Sequence, residues 1–213
     1  MKIGMLGSGT VGQTIAAKLA EVGQEVMMGT RSPEKLKAWA GEHPTVKLGA
    51  VQETARFGEL VFCAVKGDAT LAVLQTAGAA ALRGKILIDI SNPLDFSQGM
   101  PPSLFISNTD SLGEQVQRAF PDTRVIKAFN TLTAALMVAP RSLADGDHTL
   151  LICGNDAAAK AQATALFSQW FGWRDILDVG DITAARATEA LLPLWVRLFM
   201  KFGTGNLQFK IVR

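Results

Sequence analysis

The chain has 213 residues, of which 48% are hydrophobic and 19% are charged, and its formal net charge is +2. This composition is typical of a globular protein and excludes disordered and collagen-like chains. The small net charge, without any run of Lys and Arg, argues against a nucleic-acid partner. The longest apolar stretch, residues 191–202, contains charged residues and is shorter than the roughly 20 residues of a bilayer span, so we expect no membrane insertion.

The cysteines and the start of the chain bear on the cellular compartment. Cys63 and Cys153 each lie inside an apolar run, which is typical of small buried side chains in a reduced protein. The first residues, MKIGML, pass into Gly-Ser-Gly without an apolar signal region. We therefore predict a cytoplasmic protein. We also predict no metal site, because Cys and His are few and scattered.

Short apolar runs alternate with helical patterns along the first part of the chain. Strands are predicted at residues 2–6, 25–28, 60–65, 86–90 and 124–129, and helices at 13–21, 33–41, 70–82 and 111–120. Continuous apolar runs are typical of strands that are covered on both faces, so this rhythm predicts a doubly wound parallel α/β sheet. The stretch NPLDFSQGMPPS (92–103) is a long irregular loop, and loops of this size are often functional.

The pattern changes after about Phe129. A polar-rich stretch leads to predicted strands at 148–154 and 174–180, and to predicted helices at 156–171 and 184–202. We therefore place a domain boundary here. Residues 1–128 are predicted to form one domain, and residues 129–213 a small C-terminal α/β domain.

The first predicted strand ends in Gly7-Ser8-Gly9-Thr10-Val11-Gly12, and a helical pattern follows at once. In this context Gly7 permits a tight turn, Gly9 lets the backbone approach a pyrophosphate, and Gly12 lets the helix pack on the strand. The helix N-terminus then offers unpaired N–H groups to phosphate oxygens. The motif predicts a Rossmann-type dinucleotide site in residues 1–128.

The choice of dinucleotide depends on the segment VMMGTRSPEK (26–35), which contains the end of the second strand. An acidic residue at that end would accept hydrogen bonds from a ribose 2′-OH, and this chain has none there. Thr30, Arg31 and Lys35 instead offer a hydroxyl, a guanidinium and an ammonium, which suit a dianionic phosphate. These residues favour NADP(H) over NAD(H), with Glu34 directed away from Arg31 in the first helical turn.

Few residues are left for acid or base catalysis, since the chain has no Tyr and only two His. His43 lies in a polar connection. His148 opens a strand, on which its neighbour Asp147 would face the opposite side. A nicotinamide enzyme without such groups suits hydride transfer to a flavin or deazaflavin ring, for which the protein supplies position and excludes water.

The loops that follow the strands are predicted to hold the reacting rings. The candidate residues are Ala64, Val65 and Lys66 after one strand, Ser91, Asn92, Pro93 and Leu94 after the next, and Phe129, Asn130, Thr131 and Leu132 after another. Asn92 and Asn130 are predicted to orient a carboxamide, while Phe129 and Leu132 form walls for a flat ring. Lys66 either reaches a phosphate or an acidic substrate tail, or lies on the surface.

Four segments, GSGTVGQTIAAKLAEVGQEVMMGTRSPEK, ISNPLDF, VIKAFNTL and the C-terminal EALLPLWVRLFMKFGTGNLQFKIV, together resemble the NADP oxidoreductases that work with the deazaflavin coenzyme F420. They also resemble the cytosolic reductase domain of the six-transmembrane metalloreductases, which share KAFNT. The resemblance covers essentially the whole chain. It implies a Rossmann domain with a small C-terminal domain, a homodimer built partly through the C-terminal helix, and NADPH bound at residues 7–12 with its 2′-phosphate on Thr30, Arg31 and Lys35.

The resemblance leaves the hydride acceptor open between coenzyme F420 and a flavin (FAD or FMN) bound at the domain junction. Archaeal deazaflavin enzymes have a His at the position of Asn130, whereas metalloreductase-like members have Asn and pass hydride to a flavin. Two other functions stay open. A reductase of a small imine or carbonyl would share the N-terminal fingerprint of pyrroline carboxylate reductases, whose substrate site uses a longer C-terminal domain. A sensor would bind NADPH without turnover.

Overall fold

The computed structural model describes residues 1–213, and it contains one eight-stranded sheet and a separate two-stranded hairpin. The strands are β1 (Lys2–Leu6), β2 (Glu25–Gly29), β3 (Lys47–Gly49), β4 (Leu60–Cys63), β5 (Ile86–Asp89), β6 (Leu94–Asp95), β7 (Ser103–Leu104), β8 (Arg124–Ala128), β9 (Thr149–Cys153) and β10 (Asp175–Asp178). The helices are α1 (Thr10–Glu21), α2 (Lys37–Glu42), α3 (Val51–Phe57), α4 (Gly67–Ala77), α5 (Ala79–Leu82), α6 (Leu112–Ala119), α7 (Ala134–Val138), α8 (Ala157–Phe171) and α9 (Ala185–Phe202).

The strand order in the large sheet is β10-β9-β8-β5-β4-β1-β2-β3. Its first six strands along the chain run parallel, and β9 pairs with β8 in the antiparallel direction. The order reverses between β1 and β4, which is where open α/β sheets bind their ligands. The predicted fold class, a Rossmann-type α/β sheet, is confirmed.

The segment after β8 extends the same sheet, since β10 pairs with β9 in parallel. Strand β8 ends at Ala128, the last residue before the predicted boundary, and the next strand along the chain that joins this sheet, β9, runs antiparallel to it. The division into a domain of residues 1–128 and a domain of residues 129–213 stays a prediction. None of the helices is both long and apolar enough to cross a bilayer.

Helices cover both faces of the sheet. Neighbouring residues of each strand point to opposite faces, so the central strands β1, β4, β5 and β8 contribute side chains to two cores. Ile3 and Met5 of β1 belong to a core that residues of α1, α7 and α8 complete. Val61 and Cys63 of β4 belong to a second core, formed with residues of α3, α4 and α6. Burial of the strands on both sides explains their continuous apolar sequences and fixes the loops at their carboxyl ends.

Candidate functional site

A cleft of about 750 Å³ opens at the carboxyl ends of β1, β4 and β5. It is lined by residues 9–11 after β1, residues 64–68 after β4, residues 90–92 after β5, and residues 94–97 with Phe105 from the β6–β7 hairpin. A volume of this size is within the range of ligand pockets. The cleft therefore brings together most of the loops that the sequence predicted to hold a dinucleotide and its partner.

The glycine turn between β1 and α1 is tightly packed at two of its glycines and open at the third. Gly7 has φ +119°, and a Cβ added to it would lie 2.4 Å from the carbonyl oxygen of Ala64. A Cβ on Gly12 would lie 2.0 Å from the oxygen of Gly7, whereas a Cβ on Gly9 would meet nothing within 4 Å. Close packing thus surrounds Gly7 and Gly12, while Gly9 faces open space. Helix α1 has no acidic residue in its first turn, so its N-terminus suits an anion.

The substitution Gly9→Ala should weaken cofactor binding without changing the stability of the fold. Since Gly9 has an ordinary φ of −79° and open space around it, the variant should unfold at the same urea concentration as the parent chain. Its methyl group would occupy the place of the phosphates, so we expect NADPH to bind roughly tenfold more weakly, a loss of about 1.4 kcal/mol. Gly41→Ala, at another open position, is the control. Equal NADPH affinity in all three proteins, measured by fluorescence titration, would contradict the assignment.

The three residues predicted to bind a 2′-phosphate follow β2; none of them lines the cleft, and Thr30 contacts the glycine turn. Thr30 follows β2, and its Oγ1 accepts hydrogen bonds from the Ser32 backbone N–H at 3.0 Å and from the Ser8 hydroxyl at 3.4 Å. A short 3₁₀ turn, Pro33–Leu36, then carries Lys35, and both Lys35 and Arg31 are exposed. The Ser8 contact places the glycine turn next to this basic segment, as a single dinucleotide would require.

The two predicted amide side chains bond to each other. Asn92 Nδ2 donates to the Asn130 backbone oxygen at 2.8 Å, and Asn130 Nδ2 donates to Asn92 Oδ1 at 3.0 Å and to the Thr188 oxygen at 3.0 Å. Both N–H bonds of the buried Asn130 amide are therefore used inside the protein. Asn92 lines the cleft and retains one N–H, so its predicted contact with a carboxamide stays a prediction. Asn130 does not line the cleft, and the prediction that it orients a carboxamide is corrected: it holds the Asn92 side chain in position.

Phe129 and Leu132 lie in the hydrophobic core and do not line the cleft. The ring centroid of Phe129 is 4.5 Å from that of Phe167. Phe129 has φ +64°, and this left-handed turn directs its ring to the sheet face that also carries Ile126 and Ala128. The prediction that these two side chains wall a flat ring is corrected accordingly. Pro93 is also buried, next to Asn92.

A buried charge cluster that the sequence does not predict lies beneath the cleft. Lys127 Nζ is 2.8 Å from Asp89 Oδ2 and 2.8 Å from Glu189 Oε1, and these side chains are at most 2% exposed. Burial lowers the pKa of Lys127, but attraction to Asp89 and Glu189 outweighs it and raises the pKa from 10.5 to about 12. Lys127 inside the apolar run RVIKAF was the one sequence signal for this cluster.

The cluster fixes the cleft-lining residue Ser91 at each of its polar atoms. Asp89 Oδ1 accepts hydrogen bonds from the Ser91 N–H at 3.0 Å and the Ser91 hydroxyl at 2.6 Å. Lys127 Nζ donates to the Ser91 backbone oxygen at 2.5 Å. Glu189 of α9 accepts from the backbone N–H groups of Leu112 and Gly113, at 2.9 and 3.0 Å, which begin α6. The loop after β5 is thus tied to both helices.

Neither histidine and neither cysteine lies in the cleft. His148 is buried with its ring centroid 5.1 Å from that of Trp173, and His43 packs beside Trp39. Burial raises the pKa of the Cys63 thiol far above its usual value and that of Cys153 to about 12, so both stay protonated. The cleft therefore offers position and apolar surface, without an imidazole or thiolate.

Comparisons with known proteins agree with this geometry. The family model described as NADP oxidoreductase, coenzyme F420-dependent, matches residues 2–93. A solved structure from Arthrobacter sp. FB24, assigned as an F420-dependent NADP reductase, has 52% identity and a TM-score of 0.97, with all of both chains covered. The F420-dependent NADP reductase of Methanothermobacter marburgensis is 32% identical, over 99% of this chain and 98% of its own. Metalloreductase STEAP3 of Rattus norvegicus is 34% identical over 91% of this chain, which spans 38% of that relative's length.

Proposed function

Because this chain belongs to the coenzyme F420-dependent family of NADP oxidoreductases, we propose that it moves hydride between NADP(H) and a deazaflavin ring that share the cleft. The chain is an NADP-dependent oxidoreductase. The identity of the acceptor as a deazaflavin, and its place beside the nicotinamide, are the proposal.

The observation that carries the proposal is the continuity of one cleft from the glycine turn to the loops after β4 and β5 and on to the hairpin. The open space at Gly9 and the exposed basic residues Arg31 and Lys35 fit the phosphates of NADP(H). Bound NADPH would supply a hydride from its nicotinamide ring to the acceptor, and solvent would supply the accompanying proton. Asn92 then orients the carboxamide, and Val65 and Ile90 exclude water from the rings.

The proton chemistry favours a ring acceptor over a small imine or carbonyl. Reduction of an imine or carbonyl is helped by a positioned acid. The ionisable residues that line the cleft are Lys66, Asp68 and Asp95. Hydrogen bonds from Ser97 lower the pKa of Asp95, which keeps it ionised. Lys66 and Asp68 are exposed at the rim, where Lys66 is available to an acidic substrate tail.

Stopped-flow mixing tests the proposal directly. The purified protein is mixed with NADPH and with coenzyme F420, FMN or a small cyclic imine, and the loss of NADPH absorbance is followed. We expect rapid reduction of the deazaflavin and slower or no reduction of the other two. Reduction of none of them above the rate in free solution, together with tight NADPH binding, would instead support a sensor.

We also propose that two copies of the chain pair through α9. Four large apolar side chains on or at the end of this helix are exposed, namely Leu194, Phe199, Met200 and Phe202. Large apolar side chains that stay in contact with water in this number on one helix are candidates for contact with another protein chain. Light scattering should give twice the chain mass of 22.7 kDa, and Met200→Glu should reduce it to one chain mass. A single chain mass for the parent protein at micromolar concentration would contradict the pairing.

A further inference from the structure

The hairpin of β6 and β7 places two exposed aromatic rings at the cleft. Phe96 is 56% exposed and Phe105 is 42% exposed, and both line the cleft. Met100, in the same hairpin, is 55% exposed and does not line it. Large aromatic side chains that stay in contact with water beside a ligand cleft are candidates for ligand contact, since covering them removes apolar surface from water.

The backbone around these rings is held by hydrogen bonds. The Ser97 N–H donates to Asp95 Oδ1 at 2.8 Å, and the Gly99 N–H donates to the Phe96 oxygen at 2.9 Å. The Phe105 N–H donates to the Pro93 oxygen at 2.9 Å, which ties the second strand of the hairpin to the residue after Asn92. The backbone that carries both rings is therefore held in place at the cleft, and both rings line it.

We propose that Phe96 and Phe105 form the stacking surface for the flat ring of the hydride acceptor, an inference that rests on the proposed function. The glycine turn and the loops after β4 and β5 account for the dinucleotide side of the cleft. Hydride transfer needs the two rings about 3–3.5 Å apart, so the acceptor must enter the same cleft. The aromatic residue predicted for this role, Phe129, is buried in the core, which leaves the two hairpin rings as the aromatic surface that lines the cleft.

The test measures binding of coenzyme F420 to the protein loaded with NADP⁺, by quenching of the deazaflavin fluorescence. Phe96→Leu and Phe105→Leu keep an apolar side chain and remove the aromatic face, so each should weaken F420 binding about three- to tenfold. Phe96→Trp should retain the parental affinity. Met100→Leu is the matched control, and NADP⁺ affinity should change by less than about twofold in every variant.

Three results would overturn the stacking surface. The first is F420 affinity within about twofold of the parent in both leucine variants. The second is a loss of NADP⁺ affinity equal to the loss of F420 affinity, which would assign the rings to the nicotinamide. The third is an equal loss in Met100→Leu. Failure of the parent protein itself to bind F420 would contradict the proposed function, and with it this inference, and is distinguished from the others by the absence of parental quenching.

Discussion

Replacing Lys127 with methionine should lower the free energy of unfolding by about 3–5 kcal/mol. The ammonium lies between two carboxylates, Asp89 and Glu189, at 2.8 Å from each, and all three side chains are buried. Methionine fills much of the same volume but leaves both carboxylates buried, close together and without their counter-charge. Breaking a buried ion pair in this way is among the most damaging single changes.

Urea unfolding measures this loss, with Lys85→Met as the matched control. Lys85 donates to the backbone oxygens of Ala55 and Arg56 at 2.8 and 3.2 Å and has no carboxylate partner, so its loss should be about 0.5–1.5 kcal/mol. Adding Asp89→Asn to the Lys127→Met variant removes one unpaired charge and should restore part of the stability. Equal destabilisation by Lys127→Met and Lys85→Met would show that the cluster does not act as a charge pair.

The same cluster should make the stability of the folded protein decrease at alkaline pH. The pKa of Lys127 is raised from 10.5 to about 12 in the folded protein. Its contribution to stability is therefore fully present below pH 10.5 and is lost as the pH rises through 12. The parent protein should lose stability in this alkaline range more steeply than the Lys127→Met variant, when unfolding is followed by circular dichroism.

Local sequence patterns predicted the strands of the sheet well, because burial on both faces gives continuous apolar runs. The run at residues 2–6 is β1, and the run at residues 86–90 contains β5. The predicted helix at 70–82 is instead two helices, α4 and α5, since Gly78 between them has φ +89°. Strand β3, with three residues, and helix α3 were not predicted, because such short elements carry little periodicity.

The sequence likewise predicts one part of the candidate site and not the other. The glycine turn and the basic residues after β2 are contiguous in sequence, so their chemistry could be predicted from spacing. Glu189 meets the N-terminus of α6 across 77 residues, a pairing that no local pattern contains. The sequence does not predict the hairpin, because two-residue strands inside a Pro- and Gly-containing loop have no strand pattern; the length of this loop is the feature that indicates a function.

We predict that the preference for NADP(H) over NAD(H) depends on Arg31. It is exposed two residues after β2, and Thr30 beside it bonds to Ser8 of the glycine turn. A guanidinium binds a phosphate through two parallel N–H donors, whereas the 2′-OH of NADH gives it no charged partner. The residue should therefore contribute to binding of the phosphorylated cofactor alone.

Arg31→Ala is expected to weaken NADPH binding by about 1.5–3 kcal/mol, which corresponds to roughly 10- to 150-fold in Kd. NADH affinity should stay nearly the same, so the ratio of the two dissociation constants is the quantity to measure. Lys37→Ala, an exposed lysine on the adjoining helix, controls for a general loss of positive charge. Higher salt should reduce the NADPH advantage of the parent protein and leave the variant almost unchanged, since screening acts on the charge pair. An equal loss of affinity for both cofactors would show that Arg31 supports the shape of the site and does not read the 2′-phosphate.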